Sequence, residues 1–202
     1  MRIRYNAPVV LTFTFISAGI LVLSQTVSRS LTVQWFMVPG KAGFSPSSLR
    51  CWVTLVTHVL GHANWSHLLS NFSFILLIGP ILEEIYGSLS LVIMIFITAL
   101  VTGILNVLFF PTGLLGASGV VFMMILLASF TNFNKGEIPL TFILVLILYL
   151  GRELLNSFGN NPESDGNISQ FAHVVGGFIG SLFGFFKTTR RSQMRPQLRS
   201  QV

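Results

Sequence analysis

The chain has 202 residues, 52% of them hydrophobic and only 9% charged, where an ordinary soluble domain carries about 25% charge. The apolar residues come in long runs, which excludes a soluble domain and points to an integral membrane protein. The net charge of +6 collects mostly at the two ends, at Arg2, Arg4, Lys187, Arg190, Arg191, Arg195 and Arg199; this reads as topology signal and lipid-headgroup contact, and no nucleic-acid-binding module accompanies it.

Six spans are predicted in chain order, near Pro8–Ser24, Trp65–Tyr86, Leu89–Phe110, Gly116–Phe133, Ile138–Leu155 and Ile168–Lys187. Each approaches the ~20 residues that a ~30 Å hydrocarbon core requires. The first has the basic start of a signal peptide. Its apolar stretch exceeds the usual run of about 7–15 residues, however, and no A-x-A site follows, so it is read as a retained span. Residues 25–50 read as a loop with Gly, Pro and Ser. Basic ends and six spans put both termini in the cytoplasm, with the chain in the plasma membrane. The expected organisation is a short cytoplasmic N-terminus over 1–7, a six-helix core over 8–187 and a basic cytoplasmic tail over 188–202. Arg29, Lys41 and Arg50 run against this topology, because they fall in the first outer loop. The single cysteine, Cys51, cannot form an intrachain disulfide.

Polar groups inside a bilayer are costly and mark function. Three clusters stand out. In "THVLGHANWSHLLSNF", Thr57–Phe72, Asn64 or Ser66 can cap a helix that starts near Trp65. His67 and Asn71 then share one face at i and i+4. His58 and His62 have the same spacing but precede the helix, at the membrane surface. They could form a zinc pair, yet no acid stands beside them to serve as a metalloprotease base. A polar seam between helices is the plainer reading.

The second cluster is Gly116-Ala117-Ser118-Gly119. Small residues there can be a packing notch. Ser118 also falls in the first turn of its helix, where free N–H groups and the positive helix end favour developing negative charge. The third is "QFAHVVGGFIGSLFG", Gln170–Gly184. His173 lies near the outer end of the sixth span, with Gly176 and Gly180 at i+3 and i+7 on roughly one face. If that face meets the fourth span at Gly116 and Gly119, His173 meets Ser118.

The inventory narrows the chemistry. The six acids are Glu83, Glu84, Glu137, Glu153, Glu163 and Asp165. One aspartate, in a loop, cannot make an aspartyl protease. A Ser-His dyad needs no acid: the serine attacks after giving its proton to histidine, and water later hydrolyses the acyl-enzyme. His67 and Asn71 are the polar residues at similar depth to hold the oxyanion. A channel or transporter would place charges along a pore at mid-membrane depth, and the histidines gather instead near one side.

These residues resemble the rhomboid family of intramembrane serine proteases. "HVLGHANWSHLLSN" has the family's H-x3-H-x4-H-x3-N spacing; "GPILEEIYG" matches G-x3-E-x3-G at Gly79, Glu83 and Gly87; "GASG" matches G-x-S-G and "AHVVGG" matches A-H-x-x-G. Four motifs in order on the right spans are specific together. The resemblance implies an all-α membrane protein, a six-transmembrane-helix rhomboid-like bundle. Ser118 would be the nucleophile and His173 the general base and acid. Asn71, His67 and the Ser118 N–H would stabilise the oxyanion. His58 and His62 would organise the first loop, and Gly116 and Gly119 would let the fourth and sixth spans meet. Substrates would be single-span transmembrane proteins, cut near the outer face and admitted sideways past the fifth span. No metal and no organic cofactor is implied.

Two departures stand out. Trp52-Val53 replaces the family's common Trp-Arg, with Arg50 nearby. Phe122 stands where many bacterial members have Tyr, so a ring stacked on the histidine is expected without its hydroxyl. The rival reading is a proteolytically inactive rhomboid-like protein that binds transmembrane helices, although such relatives commonly lack the serine or the histidine.

Overall fold

A computed structural model describes residues 5–131, together with 140, 143, 144, 147, 174–180, 182, 183 and 186. Among them three helices are long and apolar enough to cross a membrane. They are α1 (Pro8–Thr26), α4 (Trp65–Tyr86) and α5 (Ser88–Phe109). Between α1 and α4 lie the short α2 (Ser30–Trp35) and α3 (Leu49–Thr57), and α6 (Ser118–Thr131) follows α5. Residues 174–180 are helical. Much of the fifth and sixth predicted spans, and His173 itself, lies outside the described residues.

Each long helix starts and stops where its sequence provides for it. Pro8 opens α1 at its first position, where a missing N–H costs nothing. Asn64 caps α4, its Oδ1 accepting the His67 N–H at 2.8 Å. Gly87, at φ +83°, ends α4 and lets α5 begin one residue later. The hairpin of α4 and α5 is therefore nearly loopless.

α1 is bound to that hairpin by Glu83. Its carboxylate is buried, accepts the Val9 N–H at 3.0 Å and the Val10 N–H at 3.1 Å, and takes the Ser88 hydroxyl at 2.7 Å. A negative group on first-turn amides satisfies orphan donors and complements the helix dipole. Gly79 lets the helices close beside it, since a Cβ there would lie 2.6 Å from Val10 Cγ2. At the other end of α1, Gln25 Oε1 accepts the Trp65 indole N–H at 3.0 Å.

The stretch expected to be a loop over residues 25–50 holds α2, a turn of 3-10 helix at Lys41–Gly43 and the start of α3. Packing decides this. α3 presses its backbone onto α5 where Gly103 makes room: a Cβ at 103 would meet the Leu55 carbonyl oxygen at 2.6 Å. Val38 pairs with Leu114 through two 2.9 Å backbone bonds, so this connection also holds the approach to α6.

Candidate functional site

The site is built at the N-terminus of α6. The helix begins at Ser118 and not at Gly116, because Ala117 supplies the first capping carbonyl, accepting the Val121 N–H at 2.9 Å. Gly116 has φ +113°, a conformation that L side chains rarely adopt. Its N–H donates to the His58 carbonyl at 2.9 Å. The first-turn N–H groups, beginning with that of Ser118, have no intrahelical acceptor.

α4 supplies the facing side chains. A Cβ at Gly116 would stand 2.7 Å from both His67 Cε1 and Nε2, and 3.7 Å from Asn71 Nδ2. The i, i+4 pair therefore converges on the turn that leads into Ser118. The missing side chain of Gly116 makes room for His67. Ser118 is buried, and among the described residues neither its Oγ nor Asn71 Nδ2 has a hydrogen-bond partner.

The helix at 174–180 lies against α6 through glycines. Gly176 touches the backbone of Gly119, and Gly180 the backbone of Met123. Both pairs advance by four residues in the same direction, so the two helices run parallel in register. Gly177, which the sequence motifs do not single out, lies against the Phe122 ring and Leu126. A third glycine one residue after Gly176 was the available signal: it widens the flat face enough for an aromatic ring.

His58 and His62 are buried within the protein. His58 Nδ1 lies 3.3 Å from the Thr54 carbonyl, so it carries the proton, and Nε2 faces the Thr102 hydroxyl at 3.3 Å. His62 Nδ1 faces the Leu60 carbonyl at 3.3 Å, and its ring meets His67 edge-on at 5.1 Å. Burial pushes the His58 imidazole down to about 4. Burial, with His67 adjacent, pushes His62 down to about 3. Both rings are thus neutral at physiological pH. His58 ties α3 to α5, while its carbonyl positions Gly116.

Comparison with known proteins follows the same lines. A family model described as "Rhomboid domain" matches residues 49–190. The chain is 24% identical over 162 residues to Rhomboid-like protein 11, chloroplastic, of Arabidopsis thaliana, covering 74% of this chain and 58% of that protein. It is 22% identical over 139 residues to Rhomboid protease GlpG of Haemophilus influenzae, covering 67% of this chain and 70% of that protein. The chain thus spans little more than half the length of the chloroplastic relative.

Proposed function

Since the chain belongs to the rhomboid family, we propose that it is an intramembrane serine endopeptidase that cleaves single-span membrane proteins with Ser118 as nucleophile and His173 as base. The observation that carries this reading is the glycine seam. Gly176 rests on Gly119 and Gly180 on Met123. His173 is three residues before Gly176, and Ser118 one residue before Gly119. The register carried back along the seam sets position 173 level with Gly116, two residues or about 3 Å along the axis from Ser118, which supports the pairing.

The steps then follow from the parts. Ser118 transfers its proton to His173 and attacks the peptide carbonyl. The oxyanion forms at the α6 N-terminus, where the Ser118 N–H and the Asn71 amide point; His67 flanks it. The protonated histidine gives its proton to the leaving amine, and water hydrolyses the acyl-enzyme by the reverse path.

Two experiments test this. A fluorescent fluorophosphonate is expected to label the detergent-purified parent and to fail on a folded His173→Ala variant. Equal labelling of both would remove His173 as the activating base. Asn71→Ala is expected to lower turnover about 10²–10³-fold while the unfolding temperature changes little. A variant that misfolds, or one with turnover near parent, would make Asn71 structural.

A further inference from the structure

Three cations, three tryptophans and a half-exposed helix gather at one end of the bundle. The end is defined by the last turns of α1 and α5 and the first of α4. Trp65 reaches Gln25 there, and the Lys41 N–H donates to the Phe110 carbonyl at 2.8 Å. Trp35, at the end of α2, accepts the Thr57 hydroxyl through its carbonyl. The Trp52 indole N–H donates to the Pro46 carbonyl at 2.9 Å. All three tryptophans of the chain therefore belong to this rim.

The depth of α3 can be read from its neighbour. It packs on α5 at Gly103, and His58, its C-cap, meets Thr102. Thr102 lies seven residues, or roughly 10 Å, before the end of α5. α3 thus lies alongside the end of a span and not above it. Its outer side carries Leu49, 78% exposed, and Trp52, 52% exposed, at i and i+3. Trp35 and Trp65 are 44% and 43% exposed. Tryptophan half out of a protein at the end of a span is suited to the boundary between acyl chains and headgroups.

The charge is one-sided. Among the described residues Arg29, Lys41 and Arg50 are exposed on this rim, while the described acids, Glu83 and Glu84, lie at the other end of α4. On the topology set by the basic termini these cations are on the outer side, where retaining them needs a reason.

We propose that the 27–65 segment is a lipid-reading collar, in which Arg29, Lys41 and Arg50 hold the phosphate groups of anionic phospholipids while Leu49, Trp52, Trp35 and Trp65 sit among the upper acyl chains. The collar carries the backbone that positions the site. The His58 carbonyl holds Gly116, and Val38 holds Leu114. Lipid bound at the rim therefore steadies the turn leading to Ser118.

The tryptophans make the test local, since no other indole contributes to fluorescence. The full chain is reconstituted in mixed vesicles of phosphatidylglycerol and phosphatidylcholine, with one or the other brominated, and tryptophan quenching gives the relative affinity for each. Phosphatidylglycerol is expected to be preferred roughly fivefold for each cation engaged, and the preference should shrink as salt is raised. In the triple variant Arg29→Gln, Lys41→Gln, Arg50→Gln, quenching by phosphatidylcholine should persist and the preference should vanish. Equal quenching by the two lipids in the parent overturns the proposal. A preference that survives in the triple variant overturns it equally. The salt series on the parent decides alone if the variant does not fold.

Discussion

Ser118→Ala is expected to abolish cleavage of a transmembrane reporter in liposomes, by roughly 10⁴-fold or more. The magnitude follows from what the hydroxyl is asked to do. Without it no acyl-enzyme forms, and the remaining polar groups can only orient substrate and water. The fold should tolerate the change. Ser118 Oγ is buried with no partner among the described residues, so its removal strands no donor or acceptor among them. Thermal unfolding should match the parent to within a degree or two. Cleavage retained at parent rate would remove Ser118 as nucleophile. Cleavage lost together with the fold would make it a packing residue.

Gly176→Val is expected to cost both stability and activity. A Cβ at 176 would enter the space of the Gly119 carbonyl, and a backbone group cannot swing aside as a side chain end can. Overpacking of this kind costs about 1–3 kcal/mol. The helices must separate, and a shift of about 1 Å between reacting groups is enough for a 10²-fold loss of turnover. Val174→Ala is the matched control: Val174 is exposed on the same helix, and neither stability nor cleavage should respond. A Gly176→Val protein that unfolds and cleaves like the parent would show that the contact of 174–180 with α6 does not set the site.

The long helices were legible because their boundaries are local. Apolar runs bounded by Asn64 and Gly87 specify α4 within a residue, and the i, i+4 spacing by itself puts His67 and Asn71 on one face. α2 and α3 were not legible. "SLTVQW" and "LRCWVTLVT" are short and rich in β-branched residues, and their helicity comes from tertiary contact, for α3 at Gly103, rather than from propensity. The centre of the site was half legible. GxSG marks the reactive turn, but no spacing rule shows that Gly116 serves His67 while Gly119 serves the 174–180 helix. That division depends on one positive φ and on a carbonyl supplied by His58. The partners of His58 were hidden for the same reason, since they come from α3 and α5. The acid in GPILEEIYG stood out in the sequence without a role; its partners, Val9 and Val10, are more than seventy residues away.

That separation dictates an order of assembly. During synthesis α1 emerges before α4, with two first-turn amides that have no acceptor of their own. Their acceptor is made only when the ribosome reaches codon 83, and it is buried only when Ser88 has started the next helix. The first helix must therefore wait in the bilayer, and it docks when the α4–α5 hairpin arrives. A single carboxylate thus acts as a timer as well as a tie.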